Sequence, residues 1–142
     1  MRILVLGAGA VGGYFGGRLA EAGGDVTFLV RERRAAELAG HGLVIASPCG
    51  DAELRVRTVT AVSAPYDLVL LCCKAYDLAS AVDSIAPAVG DGGAVLPLLN
   101  GMRHLDRLDE RFGTARVLGG LCAIPATVGA NGRIEHLGKF HR

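Results

Sequence analysis

The chain has 142 residues and a mass of 14.7 kDa, the size of one ordinary domain. Apolar residues make up 51%, enough for a core without disulfide staples and too many for a disordered chain. Fifteen basic residues against fourteen acidic ones leave +1, so no field favours nucleic acid or an anionic membrane, and no apolar run reaches the roughly 18 residues of a membrane-spanning helix.

Along the chain, short apolar runs alternate with helical periods, the pattern of a parallel α/β sheet. Arg2–Leu6 reads as a buried strand, too short to be the apolar segment of a signal peptide. Gly7–Gly12 is a turn. Val11, Phe15, Leu19 and Ala22 then fall on one helix face, and Gly23-Gly24 ends that helix. Asp25–Val30 is a second strand and Glu32–Leu38 a short helix ended by Gly40. Leu43–Ala46 and Glu53–Val59 read as two short strands around a Pro48–Gly50 turn. Leu68–Cys73, wholly apolar, is a central strand. Leu78, Val82, Ile85 and Val89 form a helix face, with Asp77, Ser80, Asp83 and Ser84 turned outward. Ala94–Leu99 is a strand closing at Asn100-Gly101, Leu105, Leu108 and Phe112 mark a helix, and Val117-Leu118 begins another strand. Ala126–Val128 and Arg133–Leu137 flank Asn131-Gly132, a hairpin signal. The expected fold is a Rossmann-type, doubly wound, mainly parallel sheet with helices on both faces.

Glycine is the compositional outlier, at 21 residues, and the excess clusters between Gly7 and Gly24. Gly7-Ala8-Gly9-Ala10-Val11-Gly12 spells G-x-G-x-x-G after a strand and before a helix, the context that gives this pattern meaning. Gly7 permits the tight turn, Gly9 lets a pyrophosphate touch the backbone, and Gly12 lets helix and strand pack closely. The helix start offers unpaired N–H groups and about half a positive charge to a phosphate. Gly13, Gly16 and Gly17 continue the run, each at a cost of roughly 1 kcal/mol against Ala. Close packing on the sheet accounts for Gly16; Gly13 and Gly17 have no such reason in the sequence.

At the end of the second strand, an NAD site carries a carboxylate for the ribose 2′-hydroxyl. Here that place holds Arg31, nineteen residues after Gly12, with Arg33 and Arg34 close behind. A guanidinium pairs with a 2′-phosphate through charge-assisted bonds, so the expected cofactor is NADP(H). Glu32 is the competing signal, and if its side chain faced the ribose, NAD would be preferred.

Only two of the fifteen basic residues are lysines, Lys74 and Lys139. Lys74 ends the central strand and Asn100 ends the next, at the carboxyl edge where a doubly wound sheet binds ligands. An ammonium there can hold an anionic oxygen or a ribose hydroxyl, or simply reach water. The Asn100 amide can donate to a carbonyl and accept from a hydroxyl, or serve the turn. Cys72 and Cys73 lie in an apolar strand without C-x-x-C spacing and read as inert thiols. His41, His104, His136 and His141 show no metal-ligand spacing.

Together these features resemble the ketopantoate reductase (2-dehydropantoate 2-reductase) family. The resemblance rests on Gly7–Gly12, Arg31, Leu71-Cys72-Cys73-Lys74 and Leu99-Asn100-Gly101-Met102. Gly119-Gly120, Ala126-Thr127 and Gly132-Arg133-Ile134-Glu135-His136 extend it to nearly the whole chain. It implies a cytoplasmic enzyme of pantothenate biosynthesis in which NADPH reduces the 2-keto carbon of ketopantoate to give (R)-pantoate. By position, Gly7, Ala8, Gly9, Ala10, Val11, Gly12 and Arg31 hold the cofactor phosphates. Lys74 and Asn100 lie near the nicotinamide ribose and the reacting carbonyl, Asn100 touching substrate as well, and Ala126 offers a backbone contact to the nicotinamide amide.

The resemblance also implies a helical second domain that supplies the lysine protonating the new alkoxide and most substrate contacts. No such segment follows in these 142 residues. The expectation is therefore a cofactor-binding part for a small 2-keto acid reductase, inactive alone, with an apolar face free to self-associate. A related 2-oxo or 3-hydroxy acid dehydrogenase and a non-enzymatic NADP-binding module are the alternatives.

Overall fold

The computed structural model describes residues 1–142. Its central sheet has five parallel strands: β1 (Arg2–Leu6), β2 (Asp25–Leu29), β5 (Arg57–Val59), β6 (Tyr66–Leu71) and β7 (Val89–Pro97). Their spatial order is β5-β2-β1-β6-β7. The chain winds outward in one direction from β1 to β5, then returns to β1's other side with β6. Successive β1 residues face opposite ways, as a strand requires. Ile3 and Val5 join one apolar cluster and Leu4 joins the other. Helices α1 (Ala10–Glu21) and α2 (Glu32–His41) contribute to the first cluster; α3 (Leu78–Ile85) and α4 (Arg103–Phe112) close the second. This is the doubly wound α/β architecture expected.

A second sheet was not foreseen. β3 (Leu43–Ala46), β4 (Ala52–Leu54), β8 (Ala126–Val128) and β9 (Ile134–His136) form a mixed sheet ordered β4-β3-β9-β8. The stretch read as one strand over 53–59 is two strands, because the chain leaves the small sheet after Leu54 and enters the central sheet at Arg57. A continuous apolar rhythm carries no mark of that change of partner. The hairpin around Asn131-Gly132 forms as read: Ala126 pairs with His136, and Gly132 takes φ 77° at the turn.

The small sheet packs on α1, leaving that helix between two sheets. This corrects the reading of its face. Leu19 and Ala22 are exposed, and the buried residues are Gly12, Gly13, Tyr14, Gly16 and Gly17. A Cβ on Gly16 would lie 2.8 Å from the Phe28 ring and 2.9 Å from Val5 Cγ2, both on the central sheet. A Cβ on Gly17 would lie 2.7 Å from Ile45 Cδ1 and 2.9 Å from Leu43 Cδ2, both on the small sheet. Gly13 meets Ile134 of β9 in the same way, closer still. Four glycines let two sheets close on one helix, each pair one turn apart.

Smaller differences follow from the same packing. Val89 begins β7 instead of ending a helix, and Val117 makes a single parallel bridge to Val95. Residues 138–142 fold back onto the small sheet. Ala123 and Arg142 exchange two backbone hydrogen bonds of 2.8 and 3.0 Å, and Tyr14 Oη lies 2.7 Å from His141 Nδ1. His136 Nε2–H donates to the Phe140 carbonyl at 3.1 Å, so its Nδ1 accepts from the Ser47 hydroxyl at 2.8 Å.

Candidate functional site

A crevice of about 810 Å³ opens outside the carboxyl ends of β1, β2 and β6, where the strand order reverses. Gly7, Ala8 and Gly9 form its floor. Gly7 has φ 92°, the left-handed region that a side chain rarely enters, and its N–H is anchored 2.9 Å from the Leu29 carbonyl. Gly12 packs directly against the Gly7 carbonyl, so a Cβ there would strike backbone. Gly9 is different: a Cβ on it would meet nothing within 4 Å. Its smallness serves no packing inside the protein and leaves a hollow in the crevice floor.

The amides of Gly9, Ala10, Val11 and Gly12 take no acceptor within the protein, since α1 begins with Gly13 N–H on the Gly9 carbonyl at 2.7 Å. Unpaired donors beside a hollow, at the positive end of a twelve-residue helix, fit a bound phosphate.

Arg31 caps α2 at the end of β2 and lines the crevice with its side chain 89% exposed. Glu32 is exposed and does not line it. Arg33 lines it too, its Nε 3.6 Å from Glu37 Oε1. Two carboxylates share the space: Glu37, and Asp77, whose Oδ1 lies 4.0 Å from Arg31 Nη2. Of the four residues expected to face outward, Asp77, Ser80 and Ser84 line this crevice and Asp83 does not. Both serine hydroxyls donate to carbonyls of their own helical turn, at 3.0 and 2.8 Å, and keep their lone pairs free.

Arg34 does not project into solvent as its neighbours do. Its Nε and Nη2 donate to the Ala8 carbonyl at 3.2 and 2.9 Å, Nη2 also to the Gly132 carbonyl at 2.9 Å, and Nη1 to Glu37 at 3.1 Å. The guanidinium thus joins the glycine turn, α2 and the β8–β9 hairpin, whose tip residues Val128, Gly129, Ala130 and Gly132 form the opposite rim. The only sequence signals were the i,i+3 spacing of Arg34 and Glu37 and the glycine at 132.

Lys74 and Asn100 each stand three residues beyond the end of their strand, β6 and β7, which are paired in parallel with Leu71 opposite Pro97. Both are exposed and lie on the same carboxyl edge, next to the crevice and not among its lining residues. Ala126 sits on β8 in the small sheet, its N–H directed to the Ile124 carbonyl at 3.1 Å. The structure thus gathers the glycine turn and Arg31 in one crevice, places Lys74 and Asn100 beside it, and sets Ala126 apart. Burial pushes the Cys72, Cys73 and Cys122 thiols above their usual range, which favours the protonated form over the thiolate. No group of three metal-ligating side chains forms.

Residues 3–141 match the protein family described as Ketopantoate reductase PanE/ApbA. The chain is 42% identical over 143 residues to the uncharacterized oxidoreductase YkpB of Bacillus subtilis, covering 100% of this chain and 47% of that protein. Among solved structures it is similar to the 2-dehydropantoate 2-reductase of Geobacter metallireducens, at a TM-score of 0.92 and 36% identity, covering 100% of this chain and 48% of that one. It is also similar to a D-mandelate dehydrogenase solved with NADH and anilino(oxo)acetate, at a TM-score of 0.89 and 26% identity, covering 97% and 46%. The chain spans about half the length of these relatives.

Proposed function

The chain belongs to the ketopantoate reductase (PanE/ApbA) family, and on that premise we propose that it is the cofactor-binding part of an NADPH-dependent reductase of a small 2-keto acid, 2-dehydropantoate by preference. The observation that carries this reading is one crevice holding both the free amides of the glycine turn and the exposed guanidinium of Arg31.

The amides of Gly9 to Gly12 bind the pyrophosphate, and the hollow at Gly9 lets it reach the backbone. Arg31 exchanges its 4.0 Å contact with Asp77 for the 2′-phosphate. That exchange costs little, because an exposed pair at this distance contributes at most about 1 kcal/mol. The bound cofactor supplies the hydride. Lys74 and Asn100 orient the acceptor on the carboxyl edge. Lys74 Nζ donates to the keto oxygen and steadies the negative charge that grows there, while the Asn100 amide donates to the same carbonyl or a ribose hydroxyl. Protonation of the product oxygen and most substrate contacts fall to the part of the relatives that this chain does not span.

A second reading is an NADH-dependent reductase of another 2-oxo acid. The carboxylates of Asp77 and Glu37 in the crevice favour it, since each opposes an added phosphate, and so does the likeness to a D-mandelate dehydrogenase solved with NADH. One experiment separates the two. Titrate the protein with NADPH and NADH, then assay the full-length gene product with 2-dehydropantoate and other 2-oxo acids. Tighter NADPH binding and turnover of 2-dehydropantoate above the rest support the first reading. NADH preference with another acid as best substrate supports the second.

A further inference from the structure

Three arginines stand at the start of α2, and the sequence offers all three to a phosphate. The structure separates them. Arg31 and Arg33 are almost fully exposed, at 89% and 92%, whereas the side chain of Arg34 is 18% exposed and every arm of its guanidinium is engaged. We propose that Arg34, itself one of the crevice's lining residues, is a positioning residue of the cofactor crevice: it holds the glycine turn by the Ala8 carbonyl and latches the β8–β9 hairpin tip against it. This rests on the cofactor reading given above.

The geometry of a planar trans peptide carries the argument. In the Ala8–Gly9 peptide the carbonyl and the N–H point in opposite directions. Arg34 takes the Ala8 carbonyl with two donors, at 3.2 and 2.9 Å. The Gly9 N–H is thereby held on the far side, among the free amides that open α1. The same nitrogen, Nη2, reaches the Gly132 carbonyl at 2.9 Å, and Gly132 packs so tightly on the guanidinium that a Cβ there would collide with Nη1. A single rigid cation thus ties two backbone segments that are 124 positions apart, at Ala8 and Gly132, as floor and rim of one crevice. Lysine, with one flexible ammonium, cannot reproduce the fork.

The test uses Arg34→Met and Arg34→Lys, with affinities for NADPH, NADH and ADP-ribose measured on folded protein and amide exchange followed at Gly9–Gly12 and Gly129–Arg133. All three ligands share the pyrophosphate, so all three weaken together in Arg34→Met, by about tenfold, the size expected for losing one well-made charged hydrogen bond. The NADPH-to-NADH ratio stays at the wild-type value, and exchange accelerates in both segments. Arg34→Lys falls between, and it decides the matter if Arg34→Met does not fold. Unchanged affinities in folded variants reduce Arg34 to a structural role and overturn the proposal. A loss confined to NADPH also overturns it, by making Arg34 a direct ligand of the 2′-phosphate. Wild-type protein that binds none of the three removes the cofactor reading, and the positioning role falls with it.

Discussion

Gly13 of α1 and Ile134 of β9 are in such close contact that no Cβ fits between them. Gly17 repeats the arrangement one turn later against Ile45, which is Ile134's partner in the parallel pairing of β3 with β9. The two glycines without a reason in the sequence are therefore the seat of the second sheet. Each gives up roughly 1 kcal/mol of helix propensity and returns it as a buried interface with Leu43, Ile45 and Ile134, all fully buried.

Gly17→Ala should accordingly destabilise the fold by about 1–3 kcal/mol, despite alanine's better helix propensity. Ile45→Val in the same chain, which shortens the opposing side chain, should recover part of the loss. Denaturant titration of the two single variants and the double variant measures the coupling. Additive losses would mean that the contact is not what forbids the Cβ.

Gly9 and Gly12 belong to one motif and should fail differently. Gly9→Val places its side chain in open crevice space and leaves the melting temperature close to wild type. Cofactor affinity falls by at least about tenfold as the hollow is filled. Gly12→Ala drives a Cβ into the Gly7 carbonyl and lowers stability itself, by about 1–3 kcal/mol. Thermal melts and NADPH titrations on the same samples distinguish the two failures.

Arg31→Ala should weaken NADPH by about 10- to 100-fold, the range of a lost charge-assisted hydrogen bond, and NADH only slightly. Stability should stay within about 1 kcal/mol, because the only ion pair removed is exposed. Equal losses for both cofactors would contradict the assignment of Arg31 to the 2′-phosphate. Raising the salt concentration should erode NADPH binding more than NADH binding for the same reason.

Burial holds the Cys72 thiol well above the usual value of 9.0. The folded state thus retains a proton that the unfolded chain releases, so this contribution is complete below 9.0 and declines as pH rises beyond it. Denaturation midpoints taken from about pH 7 to about pH 10 should fall at the alkaline end, and Cys72→Ala should flatten that fall. Cys49, exposed, should be alkylated first in the native protein.

The parallel sheet was legible because β-strands with both faces buried announce themselves as apolar runs, as Leu68–Leu71 does. The glycine turn was legible because its glycines answer to local backbone geometry. The outer face of α1 was not. Helical periodicity is carried by side chains, and this face consists of their absence, so the apolar rhythm falls instead on Val11, Phe15, Leu19 and Ala22. Arg34 was invisible for another reason: its partners are carbonyls 26 and 98 residues away, and a carbonyl is present at every position. Asp77, Ser80 and Ser84 look outward-facing in the sequence because the rule that polar residues face water does not distinguish bulk water from a solvated crevice.

The cover on α1 is drawn from two separate stretches, with β3 and β4 arriving early and β8 and β9 only after residue 125. A polypeptide emerging from the ribosome completes these central strands first, yet leaves one flank of helix α1 wet until residues 126–136 appear. Completion of the crevice's far rim therefore waits on residues 126–136, well after the five central strands are made. Premature termination anywhere before the hairpin would yield a sheet with its glycine turn but no far rim to the crevice, a species suited to chaperone capture.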